Sequence, residues 1–163
     1  MFHISPILSK HDDYMTRKET WEQIKDYIPQ NKLIWECFYG DGNSGRHLQE
    51  MGFDVIHEDI DFFTNNLGEL LLSNPPYTIK REIFTRLKEL GKPFIMLVPS
   101  TTIQTKYFKE LFEDEQIQLI IPYKKNNFDK LVNGEIQKGK DNCSFYTLYI
   151  TWQIGLEKDV IFI

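Results

Sequence analysis

The hydrophobic positions along the chain form short apolar runs that alternate with segments predicted to be helical. Runs typical of buried strands cover residues 33–38, 54–58, 69–73, 93–98, 118–122 and 144–153. Helices are predicted over residues 16–27, 46–51, 79–90 and 105–112, and in 79–90 the apolar residues recur with helical spacing. Strands separated by helices indicate βαβ units, so the pattern predicts an α/β protein with a largely parallel sheet.

Local signals define both ends of this pattern. Thr16 and Glu19 have the spacing of a capping box, which predicts that the first helix begins at Thr16, and Pro29 ends it. After the last long strand, residues 159–163 are predicted to add a hairpin partner. No repeat or Pro/Gly/Ser-rich linker divides the 163 residues, so we expect one domain over residues 1–163.

Charge restricts the class of binding partner. The formal net charge of −5 argues against a protein that holds polyanions with its whole surface. One stretch is locally basic, because residues 123–140 contain five lysines against only Asp129 and Glu135. This stretch is either a solvated loop or a loop that contacts phosphates. Its lysines are Lys124, Lys125, Lys130, Lys138 and Lys140.

Cysteine and histidine spacing gives no indication of a metal or a disulfide framework. Cys37 and Cys143 form no C-x-x-C pair, and the four histidines match no metal-ligand pattern. No apolar run approaches the ~20 residues of a membrane helix, and the N-terminus lacks the pattern of a signal peptide. We therefore expect a cytoplasmic protein without a metal and without a membrane partner.

A glycine turn follows the first predicted strand. Gly40-Asp41-Gly42 allows the backbone to pass close to a ligand, although such a turn can also be purely structural. In Rossmann-like sites an acidic residue about 20 positions later, at the end of the next strand, hydrogen-bonds ribose hydroxyls. Glu58 fits this position, and Asp59 follows it.

The most specific feature is Asn74-Pro75-Pro76-Tyr77 at the end of a predicted strand. Proline fixes φ and restricts the residue before it, so this turn is rigid. The Asn74 amide oxygen and the Pro75 carbonyl can each accept one N–H of a conjugated amine, such as the exocyclic amine of adenine. The nitrogen lone pair is then directed at an electrophile, while Tyr77 offers a face for stacking. A polar turn that merely closes a strand is the alternative.

Together these motifs resemble those of the adenine-N6 DNA methyltransferases. The segment Glu36 to Gly42 is similar to the first motif of class I S-adenosylmethionine-dependent methyltransferases, and the tetrapeptide at residue 74 follows it in the family's order. The resemblance implies a Rossmann-like fold with helices on both faces and an antiparallel C-terminal strand. It also implies S-adenosylmethionine as cofactor, contacts to it from Glu36, Phe38, Gly40 and Gly42, and catalysis by Asn74, Pro75, Pro76 and Tyr77.

Two further segments match the family in part. Asp13-Tyr14-Met15-Thr16 is similar to the element that contacts the cofactor carboxylate, which implies that Tyr14 and Thr16 bind cofactor, although Arg17 replaces the usual proline. Asp61-Phe62 is similar to the pair that contacts the cofactor's adenine, but Asp61 would equally cap a turn. Only about ten residues separate Glu58 from the strand before Asn74, so a helix and strand usual in the family are missing.

The substrate is less well defined by the sequence. Lys124 and Lys125 are candidate phosphate contacts, and Phe128 either contacts an extruded base or packs in the core. No segment is long enough for a separate target-recognition domain, so we expect modest sequence discrimination or a partner subunit that supplies it. DNA is the preferred substrate; RNA adenine, a protein glutamine amide and an inactive scaffold subunit are the alternatives.

Overall fold

A computed structural model describes residues 14–132, 135–137 and 144–163, so Asp13, Lys138, Lys140 and Cys143 lie outside the described residues. The strands are β1 (Tyr14–Thr16), β2 (Ile34–Trp35), β3 (Val55–Ile56), β4 (Leu70–Ser73), β5 (Phe94–Pro99), β6 (Ile117–Ile121), β7 (Phe128–Val132), β8 (Glu135–Gln137), β9 (Thr147–Trp152) and β10 (Val160–Phe162). The helices are α1 (Lys18–Glu22), α2 (Asn43–Glu50), α3 (Lys80–Leu90) and α4 (Lys106–Phe112), with 3₁₀ turns at Lys25–Tyr27, Tyr77–Ile79 and Ser100–Gln104.

A seven-stranded sheet forms the centre of the molecule, in the order β10-β6-β9-β5-β4-β2-β3. All neighbouring pairs are parallel except those of β9, which runs antiparallel to both β5 and β6. This arrangement confirms the predicted Rossmann-like α/β fold with an antiparallel strand near the C-terminus. Because β3 and β4 lie on opposite sides of β2, the chain reverses direction across the sheet there, and such switch points commonly hold ligands.

Alternation along the strands produces one core on each face of the sheet. In β5, Phe94 and Met96 pack with α3 and α4, whereas Ile95 and Leu97 pack with α1 and α2. The long central strands are buried on both faces, which explains their nearly continuous apolar sequences. Helices therefore cover both faces, as predicted.

The prediction of a capping box at Thr16 was wrong. Thr16 ends β1, where it is paired with Phe128, and the residue that caps α1 is Arg17, without a side-chain capping bond. The strand pairing holds Thr16 in an extended conformation, so its hydroxyl is unable to cap the helix. The helix is also shorter than predicted and continues only as a 3₁₀ turn.

The predicted hairpin at the C-terminal end was also wrong. Both edges of β9 are already paired, one with β5 and the other with β6, so no edge is open for β10. Instead β10 pairs in parallel with the free edge of β6, with Phe162 beside Ile121.

Within the basic stretch after β6, which was predicted to be a loop, residues 128–132 and 135–137 form the strands β7 and β8 of a second, smaller sheet. Its order is β1-β7-β8, and all of its pairs are antiparallel. Arg17 Nε donates to Asp129 Oδ1 over 3.0 Å, which adds a partly buried ion pair to the contact between β1 and β7. The segment that was predicted to contact substrate is thereby joined to the element that was predicted to contact cofactor.

The connection between β3 and β4 is as short as the sequence indicated. Residues 57–69 contain neither a helix nor a strand. Among the described residues the longest helix, α3, has 11 residues, and none is long and apolar enough to cross a membrane.

Candidate active site

A cleft opens beyond the carboxyl ends of β2 and β4, and β1 forms its third wall. It encloses about 530 Å³, part of which is open to solvent. Nine of the predicted site residues line it: Tyr14, Thr16, Glu36, Phe38, Gly40, Asn74, Pro75, Pro76 and Tyr77. Four lining residues were not predicted: Met15, Tyr39, Asp41 and Ser44. Each of the first three is a chain neighbour of a predicted residue, which is the only signal the sequence offered.

Asn74 follows β4 and presents its amide to the cleft. Its Nδ2 donates to the backbone carbonyl of Tyr14 over 3.3 Å, which fixes the orientation of the amide. Its Oδ1 is buried and has no hydrogen-bond partner among the described residues. The turn continues through Pro76, at φ −57° and ψ 127°, into the 3₁₀ turn that contains Tyr77. The structure therefore places Asn74 at the cleft with its amide held by the Tyr14 carbonyl, and its role as acceptor stays a prediction.

Glu36 follows β2 and is almost completely buried, at 1% exposure. The Ser73 hydroxyl donates to its Oε1, whereas its Oε2 is buried without a hydrogen-bond partner among the described residues. The pKa of Glu36 is raised to about 8, mainly because the group is buried and to a smaller extent because of the nearby negative charge of Asp41, whereas the Ser73 hydroxyl and the neighbouring Phe38 backbone N–H act to lower it. An isolated carboxyl group at this depth is therefore largely protonated at neutral pH.

Thr16 adds a third polar group of the same kind. Its Oγ1 is buried and lacks a hydrogen-bond partner among the described residues. Buried polar atoms in native proteins nearly always have partners, so each exception requires an explanation. Here three such oxygens, from Thr16, Glu36 and Asn74, belong to residues that line one cleft. Because each oxygen is itself buried, a ligand in the cleft would reach it only after a shift of neighbouring side chains.

The glycine turn places its two glycines differently. Gly40 has φ +58° and lines the cleft, whereas Gly42, at φ +79°, is buried behind Tyr39 and does not line it. A Cβ on Gly42 would lie 2.8 Å from the hydroxyl oxygen of Tyr39. Gly42 therefore acts through the position of Tyr39 rather than through direct contact with a ligand.

A second, smaller cleft, with about 330 Å³ of free space that includes open solvent, shares Phe38 and Tyr39 with the main cleft. Asp59 and Phe62 line this second cleft, and Phe62 packs against Phe38 with ring centroids 4.9 Å apart. A ligand that passes over Phe38 and Tyr39 would reach both clefts.

Two acidic residues from the cofactor prediction do not line either cleft. Glu58 is exposed, and Asp61 accepts a hydrogen bond from the Phe63 backbone N–H over 2.9 Å, which caps the turn. The structure brings Asp59 and Phe62 together at the second cleft, but it does not bring Glu58 and Asp61 there.

The predicted substrate residues lie outside the main cleft. Phe128 is fully buried in β7 and packs edge-on against Tyr14, at 6.0 Å between ring centroids. Lys124 is exposed and Lys125 is half-buried. An aromatic residue that the sequence reading did not identify, Phe145, packs edge-on against Tyr77 at 5.7 Å and thereby borders the tetrapeptide turn.

The comparisons with known proteins add little. No family model matches the chain, and no curated protein matches it. Among solved structures, one described as "a putative methyltransferase from Thermoplasma acidophilum" is 11% identical, with a TM-score of 0.37, over 91% of this chain and 79% of that chain. The function is therefore argued from the residues of this chain.

Proposed function

We propose that this protein is an S-adenosylmethionine-dependent methyltransferase that methylates the exocyclic N6 of adenine in DNA. The observation that carries the proposal is that three residues with a buried, unpartnered oxygen, Thr16, Glu36 and Asn74, line one cleft at the switch point of the sheet. The motifs that these residues occupy resemble those of the adenine-N6 methyltransferases, in the same order along the chain.

At the acceptor side, Asn74 and Pro75 provide two carbonyl oxygens for the two N–H groups of the adenine amine. The lone pair of this nitrogen is delocalised into the ring, so the amine is a poor nucleophile. Two acceptors favour a pyramidal nitrogen whose lone pair is directed out of the ring plane. The bond from Asn74 Nδ2 to the Tyr14 carbonyl holds the amide before substrate arrives, which lowers the cost of alignment.

At the cofactor side, the residues that line the cleft fit S-adenosylmethionine. When bound, this cofactor supplies an electrophilic methyl group on a positively charged sulfur. In this proposal Glu36 and Thr16 accept hydrogen bonds from its methionine part, while Tyr14, Phe38 and Gly40 form the walls. In this proposal Asp59 and Phe62 hold the adenosine part in the second cleft.

Charge distribution supports nucleic acid over a protein glutamine as substrate. The described residues from 121 to 132 contain Lys124, Lys125 and Lys130 against Asp129, and Asp129 is already paired with Arg17. This basic segment follows β6 and leads into β7, which pairs with the cleft-lining strand β1. A phosphate backbone gains from such a segment, whereas a neutral glutamine amide does not.

The decisive experiment is incubation of the purified protein with methyl-labelled S-adenosylmethionine and separate pools of DNA, RNA and protein. We expect N6-methyladenine in the digested DNA by nucleoside mass spectrometry. The Asn74→Ala variant is the control, because contaminating methyltransferases would label equally in its presence. Label in RNA alone would replace DNA by RNA as the substrate. Label in protein alone, or no label at all, would refute the proposal.

A further inference from the structure

Three aromatic side chains on the described surface are unusually exposed. Tyr123 is 79% exposed, Tyr146 is 63% exposed and Phe162 is 59% exposed. Single exposed apolar side chains are normal, but neighbouring exposed aromatic side chains often mark a contact surface. We refer to these three side chains together as the aromatic ledge.

Strand pairing places the members of the aromatic ledge side by side. The recorded pairing of β6 with β9 ends at Ile120 and Tyr149, and Tyr123 and Tyr146 each lie three residues beyond this pair, at the same end of two neighbouring strands. Next to it, the Tyr123 N–H donates to the Ile163 carbonyl over 2.6 Å. The rings of Tyr123 and Phe162 lie 6.2 Å apart with planes tilted by 33°. The ledge therefore spans three neighbouring strands.

The aromatic ledge lies at the same edge of the sheet as the main cleft. The N–H of Ser100, which follows β5, donates to the Tyr146 carbonyl over 2.8 Å, and the residue before Tyr146 packs against Tyr77. Neighbouring strands are about 4.8 Å apart, so across the sheet Tyr146 lies roughly 10 Å and Tyr123 roughly 14 Å from the end of β4. These distances suit groups attached close to an acceptor bound at Asn74.

Charge changes sign along this edge of the sheet. Beyond β3, residues 57–61 carry Glu58, Asp59 and Asp61 and no lysine or arginine. Beyond β6, the exposed Lys124 directly follows Tyr123. An aromatic surface next to lysines matches the bases and phosphates of a single nucleic-acid strand, in which bases stack while phosphates pair with cations.

We infer that the aromatic ledge is a stacking platform for unpaired nucleotides next to the acceptor adenine, with Lys124 contacting their phosphates. The inference rests on the proposed function for the identity of the acceptor, but the platform itself binds a strand without adenine. The occupant is single-stranded nucleic acid, DNA or RNA, since stacking reads the base and not the sugar.

The test is fluorescence anisotropy with two labelled 12-nucleotide probes that lack adenine, oligothymidine and oligouridine. We expect Tyr123→Ala and Tyr146→Ala each to weaken binding about tenfold, because base–aromatic stacking contributes substantially to single-strand affinity. Tyr123→Phe and Tyr146→Phe should bind as the wild type does, because both retain the ring. Tyr123→Leu should resemble the alanine variant.

Salt dependence separates stacking from charge. Lys124→Ala should lower the slope of log K against log salt by about 0.7, the value for one phosphate on a single strand. Tyr123→Ala should leave that slope unchanged. Leu33→Ala and Lys158→Ala, which alter one apolar and one basic residue at the opposite edge of the sheet, are matched controls and should bind as the wild type does.

The inference is overturned if the wild type binds neither probe, if both tyrosine-to-alanine variants keep full affinity, or if the two controls lose as much. Failure of the proposed function is distinguishable, because methyl transfer is measured separately. A protein that shows the expected binding pattern without methylating any adenine would retain the platform and lose the enzyme assignment.

Discussion

The carboxyl ends of β2 and β4 are neighbours in the sheet. Each is followed by a polar side chain at the main cleft, but the two side chains differ in chemistry. Each strand is followed by a polar side chain with one buried, unpartnered oxygen, Glu36 after β2 and Asn74 after β4. The carboxyl group can become negatively charged, and burial raises its pKa to about 8. The amide stays neutral at every pH. The first end is thus suited to a cationic group, and the second to the N–H of a neutral amine.

Ser73 connects the two ends. It is the last residue of β4, directly before Asn74, and its hydroxyl donates to Glu36 Oε1. Both side chains are buried, so the bond is shielded from water. If the two ends have separate roles, substitutions at each should affect different kinetic quantities.

The largest effect is expected from Asn74→Ala. Removing the amide oxygen takes away one of two acceptors for the amine, so kcat should fall by about 100-fold or more. The dissociation constant of the cofactor should stay within about twofold, because the amide contacts the acceptor. Turnover assays measure kcat, and calorimetry measures the dissociation constant of the cofactor. Unchanged turnover would contradict the assignment of separate roles to the ends of β2 and β4.

Glu36→Gln should produce the opposite split. We expect cofactor binding to weaken about tenfold or more, because a neutral amide replaces the carboxylate that faces a cation, while kcat at saturating cofactor changes less. In the wild type, the affinity for the cofactor should rise between pH 6 and pH 7.5, because a larger fraction of Glu36 is ionised at the higher pH. This range stays below the ordinary pKa of an α-amino group, about 7.7–8. The variant should lose this part of the pH dependence in calorimetric titrations.

The same variant has a stability control. The unfolded chain ionises Glu36 near its ordinary pKa, whereas the cofactor-free folded protein keeps it protonated up to about pH 8. The wild type should therefore lose stability relative to Glu36→Gln as pH rises from about 5 to 8. Asp41, Cys37 and the cleft-lining tyrosines are present in both proteins, so the difference isolates Glu36. A constant difference in the free energy of unfolding would contradict the assigned pKa.

Gly42→Val perturbs the turn after β2 without changing the carboxyl group of Glu36. A Cβ here meets the ring of Tyr39 and forces a branched residue to positive φ, so Tyr39 must move in the cleft. We expect cofactor affinity to fall about tenfold. Gly52→Val is the matched control, because Gly52 also has positive φ but has no atom within 4 Å of the added Cβ. Equal loss of affinity in both variants would show that backbone strain, and not the displacement of Tyr39, causes the effect.

Ser73→Ala should have the smallest effect. Losing the hydroxyl removes a hydrogen bond that lowers the pKa of Glu36, so the pH dependence of cofactor binding should move to higher pH. At pH 7 affinity should fall a few-fold, in line with one hydrogen bond of about 1 kcal/mol. Ser73→Thr should restore the wild-type profile if the larger side chain is accommodated. A lower melting temperature with an unshifted pH profile would indicate a purely structural role.

The central sheet was predictable because its strands correspond to apolar runs in the sequence. Residues 70–73 and 94–98 are buried on both faces, so their sequences are nearly continuous apolar stretches. The small sheet was not predictable, because residues 14–16 and 128–132 mix polar and apolar side chains and pair over a separation of more than 100 positions. No local pattern records such pairing.

The candidate site was predictable where a motif concentrates unusual residue types. Asn74 and its two prolines were found because their combination is rare for a plain turn, and the structure places them at the cleft. Glu58 was named by its distance from the glycine turn and Asp61 by its resemblance to a family pair, but neither signal determines where a side chain points. Phe145 carries no local signal, since only the return of β9 to the sheet brings it to Tyr77.

The third wall of the cleft comes from two parts of the chain that are synthesised far apart. Arg17 and Asp129 are separated by 112 positions, and β1 cannot pair until β7 exists. Closing so large a loop is entropically costly and is rewarded only when the remaining contacts form. The wall that carries Tyr14 and Thr16 is thus expected to assemble late in folding, so the cleft is complete only after the sheet is. An assembly order of this kind would keep a half-built chain from binding its ligand.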